Sequence, residues 1–264
     1  MAWSPNQREW FLAVRLVSSS FQSGQAAPAG SYRAGIAALE RGAVDESIPL
    51  LQSAAELAKT NAQYWKALGV AYATRQEHSL AAQAFGNACK LDPQLSDACY
   101  YHGRALYFAD QYEAALAPLQ TALRYDAQKD RADTALGQAH EALGRPREAE
   151  RHFKAALERK GAWASQARLA YGKFLGREGR IDEALTQLRA AISPETAEAL
   201  TELARVLMQD GQAGEAALRL ERALQLDPKL TASRLLLAKA YRRLGRNADA
   251  VRQEQLAQGS LSSK

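Results

Sequence analysis

Cysteine and methionine each occur only twice in 264 residues, and histidine four times. That scarcity excludes a small disulfide-stapled scaffold and a Cys/His-rich metal domain. The sequence contains no HExxH pair, no phosphate-cradling glycine loop and no Gly-x-Ser-x-Gly turn. The common metallohydrolase, nucleotide and serine-hydrolase sites therefore leave no signature in it. No stretch alternates apolar and polar residues at period two, so strands are not expected. No apolar run is long enough to span a membrane. Charge of one sign is not concentrated: 34 Lys and Arg face 29 Asp and Glu, for a net +5, and they are interspersed. An unspecific basic surface follows from this, and no nucleic-acid partner is expected. No cofactor is expected either.

What is present is a repeat. Residues 62–95, AQYWKALGVAYATRQEHSLAAQAFGNACKLDPQL, form a 34-residue unit. Trp65, Leu68, Gly69 and Tyr72 fall at its positions 4, 7, 8 and 11 and share one helical face. Ala81, Phe85 and Ala88, at 20, 24 and 27, share a face of a second helix, which Pro93 ends. Copies begin near residues 28, 62, 96, 130, 165, 197 and 231. Position 8 reads Gly35, Gly69, Gly103, Gly137, Gly172, Ala204 and Ala238, and position 27 is Ala in all seven. A hairpin of this kind cannot bury its apolar face alone and must stack on copies of itself.

These residues resemble the tetratricopeptide repeat family, whose Trp-Leu-Gly-Tyr…Ala…Phe…Ala…Pro pattern residues 62–95 match almost completely. The resemblance covers residues 28–258 and implies an all-α, right-handed superhelix of about seven helix-turn-helix repeats. It further implies a concave groove lined by positions 2, 5, 6, 9, 12 and 13 of each first helix, where a peptide or partner helix binds. In the third repeat those positions are Asp97, Tyr100, Tyr101, Arg104, Tyr107 and Phe108. Aromatics and Arg are frequent interface anchors, so Tyr100, Tyr101, Arg104, Tyr107 and Phe108 are the chosen anchor. Lys66, Arg131, Gln138, Lys173, Arg205 and Arg242 extend it, making the groove aromatic in its first half and basic towards its end. Such a groove suits a peptide with an apolar anchor and acidic residues. The subtype that clamps a chaperone's C-terminal carboxylate uses Lys and Asn in the groove; here Tyr32, Ile36 and Val70 stand at such groove positions, so that clamp is not expected.

Residues 1–27 precede the repeats and admit two readings. Trp10, Phe11, Val14, Val17 and Phe21 recur near helical spacing after a Ser4-Pro5-Asn6-Gln7 start, giving an extra helix over the first repeat. Alternatively Trp10 to Val17 is the core of a secretory signal, against which Arg15 and Glu9 count. A cytoplasmic location is favoured, with export open on the second reading. Pro49 leads us to expect fraying in the first repeat. Residues 259–264 are expected to be disordered. Cys89 and Cys99 read as small packing residues in preference to a disulfide or metal pair. His78 is expected at the surface. His102 and His140 are expected to face each other as a hydrogen-bonded pair in preference to a metal site. The function expected is a non-enzymatic scaffold or adaptor for a protein or peptide. The alternatives are a self-assembling homo-oligomer module and an accessory subunit of an enzyme or secretion complex.

Overall fold

A computed structural model describes residues 28–262 except Ser96, Ala127 and Pro194, with side chains described through Gln258. Expectations for residues 1–27 lie outside the described residues. Among those described there are fourteen α-helices and no strand. They alternate as first and second members of hairpins. In order these are α1 (Pro28–Glu40) with α2 (Val44–Leu57), α3 (Ala62–Thr74) with α4 (His78–Leu91), and α5 (Ala98–Phe108) with α6 (Tyr112–Tyr125). Then come α7 (Lys129–Ala142) with α8 (Pro146–Glu158), and α9 (Ala164–Arg177) with α10 (Ile181–Ala191). The last are α11 (Ala197–Gln209) with α12 (Ala213–Leu226), and α13 (Thr231–Arg243) with α14 (Asn247–Ser262).

Two compact units divide at His152/Phe153, inside α8. In the first, each helix from α1 to α6 packs on its successor, and α1 also touches α3 as α5 touches α7. Its core runs through Leu51, Phe85, Tyr101, Leu119 and Leu136, all essentially without solvent contact. In the second unit, α9 to α14 pack in the same consecutive way around Phe174, Leu188, Leu200 and Leu220.

The hairpins close because one small residue admits one large one. A Cβ placed on Gly69 would lie 2.7 Å from Phe85, and one on Gly103 would lie 2.4 Å from Leu119 Cγ. Gly35 against Leu51 and Gly172 against Leu188 repeat the contact at 2.7 and 2.6 Å. The turn between helices needs a left-handed residue. Gly42, Gly144, Gly179, Gly211 and Gly245 supply it, with φ between 69° and 79°. Gln76 and Asp110 hold the same conformation without being glycine.

Two expectations fail here. Proline at position 49 does not fray the first hairpin: α2 continues through it to Leu57. A single proline six residues into a helix removes one hydrogen bond, and the packing of Ile48 and Leu51 holds the rest. The expected disordered tail is helical as far as Ser262, because α14 continues past the final repeat position; residues 263–264 are outside the description.

The glycine contact is testable. Gly103→Ala forces Leu119 to move and is expected to destabilise the protein by ~1–3 kcal/mol in urea unfolding. Gly214→Ala, where nothing lies within 4 Å of the new methyl, is expected to be neutral or stabilising by up to ~1 kcal/mol. Equal effects from the two would contradict the steric account.

Candidate functional site

The candidate site lies on the first helices α3, α5 and α7, all in the first unit. Helix α5 begins after Asp97, which adopts a left-handed backbone (φ 65°). That conformation, tolerated by Asp, accompanies full burial of the carboxylate. Lys66 Nζ from α3 lies 2.6 Å from Asp97 Oδ1, with the two side chains 2% and 0% exposed. Arg131 from α7 stands 4.0 Å from Asp97 Oδ2. The same guanidinium donates through Nε (3.0 Å) and Nη2 (2.5 Å) to Asp126 Oδ2. The close approach of Lys66 and the longer one of Arg131 hold this end of the network by charge. Burial pushes the Asp97 carboxyl above its ordinary range, and the opposing pull of Lys66 and then Arg131 does not fully offset it.

Aromatic rings flank the charges. The Arg131 guanidinium sits 4.2 Å over the Tyr100 ring and 5.7 Å from that of Tyr101. Tyr101 in turn stacks on Phe85 at 5.5 Å. One turn further along α5, Arg104 lies 4.6 Å over Phe108 and 5.3 Å from Tyr107, and donates to Gln138 Oε1 of α7 at 2.8 Å. Phe108 meets His78 at 5.2 Å. Positions 2, 5 and 9 of successive first helices therefore form rungs: Lys66 to Asp97, Tyr100 to Arg131, Arg104 to Gln138.

The structure thus brings together Tyr100, Tyr101, Arg104, Tyr107, Phe108, Lys66, Arg131 and Gln138 from the sequence-derived set. Their state differs from a simple exposed stripe: Tyr100, Tyr101, Arg104, Lys66 and Arg131 are buried, while Tyr107, Phe108 and Gln138 are half-buried. Lys173, Arg205 and Arg242 belong to the second unit. Lys173 pairs with Glu198 at 3.3 Å, Arg205 with Glu202 at 3.1 Å and Arg242 with Glu254 at 2.7 Å. The expected basic end is accordingly weakened by local carboxylates. Asp126 was not singled out from the sequence. Its signal is slight, a lone Asp between two helices five residues before Arg131.

Three further expectations change. Cys89 and Cys99 are joined as a disulfide. The turn after α4 brings their Cα atoms to 4.8 Å, within bridging range, so they staple the loop that carries Asp97. His140 does not face His102. It stacks on His152 at 5.4 Å, and His152 Nδ1 lies 3.0 Å from Asp133 Oδ1. Helical neighbours within one hairpin reach each other here, whereas His102 turns towards Gly86. His78 is half-buried against Phe108 and not at the surface.

Family models described as tetratricopeptide repeat match residues 32–96, 100–161 and 134–199, and a second one matches 207–253. Together they cover well over half of the sequence, and the chain belongs to the tetratricopeptide repeat family. Its fold is the all-α solenoid class of that family. No curated protein sequence matches it. Among solved structures, a chain of the APC/C hetero-tetramer Cut9-Hcn1 superposes with a TM-score of 0.71 at 15% identity, over 97% of this chain and 50% of that one. This chain therefore spans half the length of that one. PilW, a type IV pilus biogenesis factor, gives 0.67 at 22% identity over 77% of this chain and 94% of its own. PilF of Pseudomonas aeruginosa gives 0.60 at 22% identity over 76% and 92%. At these identities the likeness is one of fold. Among the described residues no helix is long and apolar enough to cross a membrane.

Asp97→Asn keeps the left-handed backbone accessible but removes the charge beside Lys66. Leaving that ammonium buried is expected to cost ~3–5 kcal/mol, read by denaturant unfolding. Adding Lys66→Met should recover much of the loss; a double variant no more stable than Asp97→Asn alone would show that the pair is not coupled.

Acid should also weaken the fold. Burial, with a smaller push from Lys90, lowers the His102 pKa to about 4, and burial followed by His152 lowers that of His140. The unfolded chain, with His near 6.5, then binds more protons in this interval. The histidine contribution is complete above about pH 6.5 and is lost as pH falls towards 4. Melting curves between pH 7 and 4 should show a declining midpoint that His102→Gln flattens. An unchanged slope in that variant would remove His102 from the explanation.

Proposed function

We propose that the protein is a non-catalytic adaptor that binds an apolar-anchored peptide or helix of a partner protein against the first-helix face of α3, α5 and α7. The observation that carries this reading is the cluster of Arg104, Tyr107, Phe108 and Gln138. A guanidinium is held over two half-buried rings and fixed by an amide from the next repeat. Such a cluster is already ordered before a ligand arrives, which lowers the entropic cost of binding. Aromatic and Arg side chains in a partly desolvated setting are also the usual energetic anchors of an interface.

The tetratricopeptide fold commonly mediates protein–protein interaction, and protein partners fit it best. The solved neighbours are in keeping with this: one is a chain of the APC/C hetero-tetramer Cut9-Hcn1, and PilW is described as a pilus biogenesis factor. The electrostatic part of the reading is modest. Lys173, Arg205 and Arg242 already have carboxylates within 3.3 Å, so an acidic tail on the ligand contributes less than their formal charge implies.

Peptides selected from a displayed random library on the full-length protein test this. We expect them to carry a large apolar residue. Phe108→Ala and Arg104→Ala should each weaken binding by about tenfold or more, near 1.4 kcal/mol. Arg242→Ala should change it less than about twofold. A library that yields no binder, or binders indifferent to both Phe108→Ala and Arg104→Ala, would overturn the assignment.

A further inference from the structure

The entry to α5 differs from its counterparts. The residues before α3, α7, α9, α11 and α13, from Asn61 to Leu230, have φ between −126° and −73°. Asp97, before α5, is left-handed at 65°. Asn61 and Thr196 accept, through their side chains, from the first amides of their own helices. The Asp97 carboxylate makes no such cap bond and is turned to Lys66 of α3 at 2.6 Å. An aspartate at this position ordinarily caps its helix, and a non-glycine residue keeps a left-handed backbone only where its surroundings impose it. Two restraints impose it here. One is ionic, from Lys66 and Arg131. The other is covalent, because Cys99, two residues on, is bonded to Cys89 near the end of α4.

We propose that the Cys89–Cys99 disulfide is a redox latch on the first-helix face of α3, α5 and α7. Bonded, it holds Asp97 against Lys66. Opened by a dithiol, it frees Asp97 to take the ordinary cap conformation, with its carboxylate accepting from the amides of α5 as Asn61 and Thr196 do in theirs. Lys66, 2% exposed, then loses its counter-ion in a buried position, which is costly, and its ammonium turns out to water. Tyr100, next to Cys99, carries the Arg131 guanidinium over its ring at 4.2 Å, so the change reaches the aromatic part of the face. The effect on ligand affinity rests on the peptide-binding reading above. Cys89 is half-buried and Cys99 is 2% exposed, so a thiolate of the dithiol attacks Cys89 Sγ. A bond forms between those two sulfurs, the Cys89–Cys99 bond breaks, and Cys99 leaves as a thiolate and takes a proton. The second thiolate of the reductant then displaces Cys89, which is protonated in turn. Two electrons have passed to the protein, the dithiol leaves as a disulfide, and its two protons end on Cys89 and Cys99.

Lysine acetylation of the full-length protein, mapped by mass spectrometry before and after dithiothreitol, tests the latch. Alkylation of both cysteines confirms the reduction. We expect Lys66 to react at least about tenfold faster in the reduced protein, while exposed Lys239 reacts at the same rate and circular dichroism shows the helices retained. Reoxidation should restore the slow rate. Cys89→Ala/Cys99→Ala should show the fast rate without reductant and no response to it. An unchanged Lys66 rate in the reduced protein would overturn the proposal. So would a disulfide that dithiothreitol leaves closed in the folded protein, or loss of helix on reduction, which would make the bond a staple of the whole fold. Library peptides selected on the oxidised protein should bind the reduced one about tenfold more weakly. Equal affinity for the two forms would overturn the latch and leave the adaptor reading standing. A Lys66 response with no peptide bound to either form would remove the adaptor reading and leave the latch.

Discussion

Four of the hairpins among the described residues depend on one steric exchange: a residue with no side chain on the first helix, and a large one on the second helix occupying the space. At Gly35, Gly69, Gly103 and Gly172 a methyl group would meet the opposite side chain at 2.4–2.8 Å, closer than packed atoms approach. Glycine inside a helix costs roughly 1 kcal/mol against alanine, so four such positions are a considerable conformational expense. The contact repays it because Leu51, Phe85, Leu119 and Leu188 are each fully buried, and complete burial of such a side chain contributes about 1.5–3 kcal/mol. Ala204 and Ala238 take the position in the last two hairpins. Opposite Ala238 the large residue is replaced by Glu254, which turns outward to Arg242. The exchange relaxes where the repeat series ends, as expected of a terminal hairpin whose outer face meets water.

Close backbones bring a second consequence. Once successive first helices are drawn into register, residues 31 to 34 apart in sequence become neighbours. Lys66 meets Asp97, Tyr100 meets Arg131 and Arg104 meets Gln138. In the second unit the same offset yields the hydroxyl pair Thr201 and Ser233 at 2.9 Å. The rungs are chemically different, so a slipped stacking would strand a buried charge opposite a ring or a methyl. We take this as the role of the Lys66–Asp97–Arg131–Asp126 chain. A buried ion pair gains little over well-packed apolar residues, and burial pushes the Asp97 carboxyl above its ordinary range in spite of Lys66 and Arg131. Its value lies in specifying one register.

The period of the repeat was legible from sequence because it is written in residues whose size alone matters: Gly or Ala at position 8 and Ala at 27. The identity of helix partners within a hairpin followed directly. What was not legible depends on the angle between adjacent repeats, which no single repeat encodes. Cys89 and Cys99 differ in repeat position, 28 and 4, and only the turn between α4 and α5 brings their Cα atoms to 4.8 Å. His140 had two possible neighbours at helical reach, and the orientation of α8 selected His152 over His102. For the candidate site, residue type and helical face sufficed to collect Tyr100, Tyr101, Arg104, Tyr107 and Phe108. Burial did not follow from the same pattern, because it depends on pairing between successive helices, Lys66 and Arg131 with Asp97 and Asp126 and Arg104 with Gln138.

That last distinction separates the two units. In the first, the polar groups of the face are paired within it and removed from water, which fixes their geometry and withholds their charge from solvent. In the second, Arg205, Lys239 and Arg242 remain exposed, and two of the three are matched by carboxylates on their own or the adjoining helix. Exposed pairs of this kind contribute ~0–1 kcal/mol and are screened by salt. They influence the approach of a charged partner more than its final affinity. On the proposed adaptor reading, specific anchoring falls to the first unit, whose polar groups are already paired and desolvated. On that reading the ligand must bring an apolar residue for the ring cluster around Arg104.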